Sequence, residues 1–176
     1  MLKILPDFLS KEDFKPLQTY FFTKLDWFYN DSIAGENNNP DNFQFSHLFF
    51  NIRNPYLEQP ISSHYSILKP ILLKLAPFYL YRVKANLRPR TSIPVKSNIH
   101  VDFNIEQVTA IYYINTCNGY TEFEDGTIVN SVENTMVIFN GNLKHCGVSC
   151  TDQKARLLLN INYKPGKDQS GSLYFP

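Results

Sequence analysis

Two histidines, an aspartate and an arginine are the residues of this sequence whose types and order could do chemistry. His100 and Asp102 form an H-x-D pair, His145 follows much later, and Arg156 lies eleven residues after His145. Two histidines and one carboxylate are the ligand set of non-haem Fe(II) with open coordination positions. An arginine can hold a carboxylate through two parallel hydrogen bonds. If the four side chains converge, the pattern predicts an oxygen-activating iron site.

The local sequence indicates which elements position these four residues. Residues 97–103 predict a short strand, on which His100 and Asp102 would point to the same face. His145 follows the apolar run 136–139 and a Gly-containing turn, so it is expected on a turn beside a pocket. Arg156 begins a strong strand candidate at 156–163. The alternate residues of that strand are Arg156, Leu158, Asn160 and Asn162, and their polarity predicts a polar pocket on one face.

The rest of the chain reads as helices first and short strands afterwards, which favours an α+β fold. Ser10 is an expected helix cap, and Phe14, Leu17, Phe21 and Leu25 recur at helical spacing after it. A second helix is predicted at about 62–75. The strand candidates are 79–87, 99–103, 107–115, 121–123, 127–129, 134–139 and 156–163, with a short strand also expected within 43–52.

Two further motifs lie between the candidate ligands. Residues 110–115 read A-I-Y-Y-I-N and residues 118–123 read N-G-Y-T-E-F. Taken in order with the H-x-D pair, the strand ending in Phe139, His145 and Arg156, these motifs make residues 81–163 resemble the Fe(II)- and 2-oxoglutarate-dependent dioxygenases. The similarity is to the prolyl-hydroxylase-like branch, whose corresponding motifs are Y-Y-L-N and G-G-x-T-x-F. This chain has Asn118 in place of the first glycine and a slightly longer spacing before Arg156.

The resemblance implies a double-stranded β-helix, or jelly roll, with flanking N-terminal helices on the larger sheet. It implies one domain over 1–176, with a helical part at about 8–78, a jelly-roll core at about 79–164 and a short tail at 165–176. It also implies Fe(II) and 2-oxoglutarate as cofactors. The metal and catalytic residues would be His100, Asp102 and His145, and the residues expected to bind 2-oxoglutarate are Arg156, Tyr113, Asn86 and Lys84. Arg82 shares the strand face of the last two and stays open as an alternative to them.

Composition limits the possible partners. The chain has 176 residues, 43% of them hydrophobic, with 14 Phe, 11 Tyr and a net charge of +1. No run of Lys and Arg predicts a nucleic-acid or membrane surface. No signal peptide or membrane span is expected, and three cysteines suit a reducing compartment, so a cytoplasmic location is predicted.

The function predicted from these observations is hydroxylation of an unidentified substrate, with consumption of O2 and release of succinate and CO2. Two alternatives stay open: a cupin-like metal enzyme that does not use 2-oxoglutarate, and a non-catalytic jelly-roll binding module. Cys146 and Cys150 lie close to His145, but a zinc site needs four ligands and no second cysteine pair is present. His47 and His64 fall outside the ordered set and are interpreted as non-ligands.

The polar segment 30–60 is too long for an ordinary connection, and it carries Phe43, Phe45, Phe49 and Phe50. Long segments of this kind are often functional. We therefore expect it to help form the substrate entrance and to be more mobile than the barrel. The alternative is that its phenylalanines only pack it against the sheet.

Overall fold

The structure, a computed structural model, describes residues 1–35, 39–52, 61–103 and 107–166. Its helices are α1 (Lys11–Thr23) and α2 (Lys69–Leu75), the second preceded by a 3-10 turn at Tyr65–Leu68. The ten strands in the described residues are β1 (Leu2–Leu5), β2 (Phe28–Asn30), β3 (Gln44–Asn51), β4 (Pro77–Pro89), β5 (Val108–Tyr113), β6 (Tyr120–Phe123), β7 (Ile128–Asn130), β8 (Thr135–Asn140), β9 (His145–Val148) and β10 (Ala155–Pro165).

The strands form two antiparallel sheets. The larger sheet has the order β1-β8-β5-β10-β4-β3-β2, and the smaller has the order β7-β6-β9. Isolated bridges from Lys96 to Val148 and from His100 to His145 place the chain at 96–100 beside β9. A buried cluster containing Tyr113 and Leu158 from the larger sheet and Phe123 from the smaller lies between the two sheets. The predicted jelly-roll architecture is therefore confirmed.

The outer face of the larger sheet is covered by the helices. Phe14, Leu17 and Phe21 of α1 belong to one buried cluster with Ala110 and Leu159 of the sheet. Burying an apolar side chain of this size stabilises the fold by about 1.5–3 kcal/mol each. This face is where the large apolar core lies, and it leaves the inner face available for polar side chains.

Local signals explain where the helices begin and end. The backbone N–H of Asp13 donates to the Ser10 hydroxyl at 3.2 Å, so Ser10 caps α1 as predicted. Helix α1 ends at Thr23, so Leu25 packs in the core from beyond the helix. Helix α2 ends at Leu75, and its C-cap residue Ala76 adopts a left-handed conformation with φ 47° directly before Pro77. Proline disfavours the right-handed helical conformation at the residue before it, so the helix does not continue through Ala76.

Three details of the predicted order need correction. The part expected to be helical, at about 8–78, contributes β2 as well as β3, the strand expected within 43–52, so the helices occupy less of it than predicted; β1 precedes this part. The expected strand 99–103 is present only as isolated bridges in this region. His145 is the first residue of β9, where a turn was predicted, because its backbone exchanges two hydrogen bonds of 3.0 Å with His100.

Candidate metal centre and adjoining cavity

The sheet pairing brings the predicted metal ligands together. His100 and His145 are bridge partners, and Asp102 follows His100 by two residues. One ligand atom from each of the three side chains lies within 4.8 Å of the others. Among the described residues, this is the one group of three or more potential ligands that could hold a metal ion. The predicted facial set of two histidines and one carboxylate is therefore formed in space.

Backbone carbonyls orient both histidine rings. Nδ1 of His100 lies 3.0 Å from the carbonyl oxygen of Asn98, and Nδ1 of His145 lies 3.1 Å from that of Leu143. A carbonyl only accepts hydrogen bonds, so these contacts place the proton on Nδ1 and leave the lone pair on Nε2. Metal-binding histidines are held by such partners, which fix their tautomer and orientation. The donor set therefore fits a divalent metal.

Four side chains surround the Asp102 carboxylate. Arg82 donates to Oδ1 at 2.9 Å, while the amides of Asn160 and Asn162 donate to Oδ2 at 3.0 and 2.9 Å. The Thr109 hydroxyl is more distant, at 3.5 Å. Burial alone would raise the pKa of Asp102, but the Arg82 guanidinium, His145 and the two amides hold that pKa well below its usual range. Asp102 therefore stays ionised and oriented.

His145 is set in an aromatic wall. Its ring centroid lies 5.0 Å from that of Phe139 and 6.1 Å from that of Phe123. Burial in this wall lowers the pKa of His145 despite the nearby Asp102. A neutral imidazole is the form that binds a metal.

Arg156 lines the same cavity as the three metal ligands, at the end away from them. Its Nε donates to the Ser131 hydroxyl at 2.7 Å, and one terminal nitrogen donates to the Thr121 hydroxyl at 2.9 Å. Two residues of the motif N-G-Y-T-E-F hold the Arg156 side chain in place. Thr121 accepts its hydrogen bond, and a Cβ on Gly119 would lie only 2.7 Å from its Cδ. A side chain at position 119 would therefore displace Arg156.

Arg88 is a candidate site residue that the sequence reasoning missed. It lies directly opposite Arg156 across β4 and β10, and it is 5% exposed. One terminal nitrogen donates to the Gly147 carbonyl at 2.9 Å, whereas its Nε is buried without a partner. Burial, together with nearby Arg156, lowers the pKa of Arg88 to about 10. The period-2 recurrence of Arg82, Lys84 and Arg88 on one strand face was the signal that could have identified it.

The remaining predicted co-substrate residues are placed differently from one another. Lys84 and Asn86 line the cavity, and Asn86 Oδ1 is buried without a hydrogen-bond partner. Tyr113 is fully buried and does not belong to the described lining of the cavity. Its hydroxyl donates to Thr121 at 2.8 Å, and its ring lies 5.5 Å from the guanidinium carbon of Arg156. Tyr113 therefore contacts the anchor of Arg156 rather than the open cavity.

The cavity joins the metal ligands to the two arginines. It has a volume of about 290 Å³, which suits a small ligand. Its described lining includes the triad at one end, and Arg88 and Arg156 at the other. Ile33, Ala34 and Gln44 contribute the lining from the segment predicted to form an entrance. The segment therefore lines the cavity, and its role as a substrate entrance stays a prediction; much of it is the regular strand β3, and residues 36–38 and 53–60 lie outside the described residues.

The phenylalanines of that segment divide into two groups. Phe49 is buried in the core, with its ring centroid 5.9 Å from that of Phe21. The ring of Tyr29 contacts that of Phe43 in a tilted arrangement and that of Phe45 edge-on, at centroid distances of 5.8 Å each. Phe49 and the partly buried Phe50 therefore pack this segment against the core, Phe43 and Phe45 pack against the edge strand β2, and the expected mobility stays a prediction.

Neither the other histidines nor the cysteines belong to the described triad. His47 contacts the Asp26 carbonyl and the Ser62 hydroxyl, each at 2.7 Å, while His64 contacts the Tyr20 hydroxyl. These histidines form a separate hydrogen-bonded cluster. Cys117, Cys146 and Cys150 are buried free thiols, and no cysteine joins a group of potential metal ligands in the described residues.

Comparison with solved structures identifies the architecture. A 2OG-Fe(II) oxygenase-family oxidoreductase from Burkholderia pseudomallei superposes with a TM-score of 0.69 at 11% identity, covering 99% of this chain and 89% of that one. The chain has the fold of the Fe(II)- and 2-oxoglutarate-dependent oxygenases. The viral collagen prolyl hydroxylase of Paramecium bursaria Chlorella virus-1, in its 2-oxoglutarate complex, gives a TM-score of 0.61 at 13% identity, covering 92% and 94%.

Fold similarity extends to enzymes with other reactions. The epimerase of nogalamycin biosynthesis in complex with Fe3+ and α-ketoglutarate gives a TM-score of 0.57 at 10% identity, covering 99% of this chain and 91% of that one. The sequence itself matches no family model and no curated protein. Neither helix in the described residues combines the length and the apolar character needed to cross a membrane.

Proposed function

We propose that this protein is an Fe(II)- and 2-oxoglutarate-dependent oxygenase that hydroxylates a substrate, consuming O2 and releasing succinate and CO2. The observation that carries the proposal is the cavity itself. One end holds a facial set of His100, Asp102 and His145, and the other end holds two buried arginines. A metal with a five-carbon dicarboxylate as its co-substrate accounts for both ends at once.

His100, Asp102 and His145 would hold the iron. The bound metal would supply the activation of O2, and the protein would set geometry and exclude water. Arg82, Asn160 and the two backbone carbonyls behind the histidines support this role, because they fix the ligand atoms before any metal arrives. The carboxylate stays ionised and the buried imidazole stays neutral, which are the forms that bind a cation.

Arg156 and Arg88 would hold the distal carboxylate of 2-oxoglutarate. Like charges directly opposite each other on paired strands are destabilising, and a carboxylate between them would relieve that repulsion. Thr121 and Ser131 support this role by fixing the Arg156 guanidinium, and Tyr113 does so through Thr121. Asn86 lies on β4 between Lys84 and Arg88. Its buried Oδ1 has no hydrogen-bond partner, and it would contact the bound co-substrate.

An intracellular, reducing location is part of the proposal and is supported by three buried free thiols. Of the two alternatives, a metal enzyme without 2-oxoglutarate gives no reason for the buried pair Arg88 and Arg156. A non-catalytic binding module gives no reason for an oriented metal triad.

An anaerobic spectroscopic titration tests the proposal. Fe(II) and 2-oxoglutarate together should give a visible charge-transfer band that neither gives alone with the protein. Aerobic incubation should then release succinate. A protein that binds Fe(II) but forms no band with 2-oxoglutarate would be the metal enzyme of the first alternative. Failure to bind Fe(II) would favour the binding module.

A further inference from the structure

The charges that line the cavity are unbalanced. Four cationic side chains line it, Arg82, Lys84, Arg88 and Arg156, against the single carboxylate Asp102. The described lining thus has an excess of three positive charges, and a divalent metal would add two more. Charges in a partly desolvated cavity interact far more strongly than in water. Such a cavity favours anionic ligands, and a dianionic co-substrate leaves much of this excess uncompensated.

Three of the four cations already have an assigned counterpart. Arg82 pairs with Asp102 at 2.9 Å. Arg88 and Arg156 face each other at the buried end, where the proposed function places the distal carboxylate of the co-substrate. Lys84 is different, because it makes no hydrogen bond or ion pair with the described residues. Burial, assisted by the Arg82 charge and opposed by that of Asp102, lowers the pKa of Lys84 to about 8, which still leaves most of the ammonium charged at neutral pH.

Lys84 also lies toward the open end of the cavity. It pairs across the strands with Asn160, whose amide donates to Asp102, whereas Arg88 is four residues further along β4. Four residues of strand correspond to roughly 13 Å. At the Lys84 end, the side chains of His100 and Arg82 are 30% and 18% exposed, while Arg156 and Arg88 are 4% and 5% exposed at the other. A second ligand therefore reaches Lys84 and the metal ligands before it reaches the arginine pair.

We infer that the prime substrate carries an anionic group, a carboxylate or a phosphate, and that Lys84 binds this group beside the metal centre. The inference rests on the proposed function, specifies its substrate class and replaces the expectation that Lys84 binds 2-oxoglutarate. An ammonium on a flexible stem suits either oxyanion, because it acts as a compact charge without demanding planar geometry. An anion at Lys84 lies next to the metal ligands, so the rest of a small substrate is held where the reaction takes place.

The test titrates two small anions into protein that is already loaded. Wild type, Lys84→Met and Lys84→Arg are prepared anaerobically with Fe(II) and saturating 2-oxoglutarate, and inorganic phosphate and acetate are titrated by calorimetry. The affinity for 2-oxoglutarate is measured separately for each protein. Lys24→Met, which removes an exposed lysine just beyond α1, is the matched control. The two anions distinguish a phosphate-bearing from a carboxylate-bearing substrate.

We expect Lys84→Met to weaken binding of the preferred anion about tenfold or more, as for loss of a charge-assisted hydrogen bond. Lys84→Arg should retain most of the affinity, Lys24→Met should match wild type, and 2-oxoglutarate affinity should change less than threefold (~0.6 kcal/mol) in all variants. If Lys84→Met instead weakens 2-oxoglutarate tenfold, or if neither anion binds through Lys84, the inference is wrong. Failure of the proposed function has a different signature: wild type then fails to bind 2-oxoglutarate, and this is read before any anion is added.

Discussion

Strands β4 and β10 present two opposite faces with opposite chemistry. Successive side chains of a strand point to opposite sides, so alternate residues of the same two strands meet the helices or the cavity. The outward set is Val83, Ala85, Leu157, Leu159 and Ile161, all buried in the main core. The inward set is Arg82, Lys84, Arg88, Arg156 and Asn160, all lining the cavity. Neighbouring residues thus serve stability and binding separately.

The difference between the faces has an energetic meaning. The outward side chains stabilise the fold by leaving water, and as apolar groups they need no hydrogen-bond partner. Inward side chains lose hydration, so each polar group needs a partner or a ligand. Arg82 pairs with Asp102, but the buried Nε atoms of Arg82 and Arg88 and Oδ1 of Asn86 have no partner in the described structure. The inner face is therefore incomplete by itself, as expected of a site built for ligands.

The largest expected effect comes from removing a metal ligand on the inner side. We expect His145→Ala to abolish Fe(II) binding and turnover, because two remaining ligands cannot fix the metal geometry. Equilibrium dialysis with Fe(II) and succinate release measure the two losses. His64→Ala, outside the triad, should bind Fe(II) like wild type. Unchanged turnover in His145→Ala would show that the triad is not the metal centre.

The next prediction compares adjacent residues that point to opposite faces. Leu159→Ala should lower the free energy of unfolding by about 2–5 kcal/mol, because it leaves a cavity under the helices, and Fe(II) affinity should hold while the protein is folded. Asn160→Ala should instead lower the affinity for Fe(II) and leave the free energy of unfolding nearly unchanged. It removes a hydrogen bond to Asp102 and should weaken Fe(II) roughly 10- to 100-fold. Denaturant unfolding and metal titration of both variants provide the check. Equal effects on both measurements would contradict the separation of the faces.

Much of this arrangement could be predicted from sequence because its signals are local. The alternation of residues 156–163 placed Arg156, Asn160 and Asn162 on one face, and the structure confirms that register. Ser10 identified the start of α1 for the same reason, since a cap acts through residues close in sequence. The order of the H-x-D pair and His145 predicted a triad that sheet pairing does bring together.

Other features depend on contacts between distant segments and could not be predicted. Residues 97–103 carry a local strand signal, but the structure joins the segment at 96–100 to β9 only through two isolated bridges, and its own sequence does not specify that pairing with a distant strand. Arg88 faces Arg156 because of the pairing of β4 with β10, which no local pattern reveals. Tyr113 contacts Thr121 for a similar reason, since β5 and β6 belong to different sheets.

A smaller effect is expected from the buried end of the inner face. Arg156→Ala should weaken 2-oxoglutarate by about 1.5–3 kcal/mol, or roughly ten- to a hundredfold, through loss of a charge-assisted hydrogen bond. Fe(II) affinity should change much less, because Arg156 does not contact the triad. Titration of each ligand separately measures the difference, with Arg90→Ala, an exposed arginine, as the control. If 2-oxoglutarate affinity is unchanged, the clamp lies elsewhere in the cavity.

The smallest expected effect tests how far the support of that clamp extends. Tyr113→Phe removes one hydroxyl, which donates to Thr121, and keeps the ring beside Arg156. Thr121 also accepts from Arg156, so loss of the tyrosine hydroxyl should loosen the arginine without removing it. A hydrogen bond of this kind contributes about 0.5–1.5 kcal/mol, so 2-oxoglutarate should weaken roughly two- to tenfold. The same titration on Thr121→Val should give a larger loss, because that variant removes the shared acceptor of both residues. A Tyr113→Phe loss as large as that of Arg156→Ala would instead mean that the tyrosine hydroxyl turns toward the co-substrate and binds it directly.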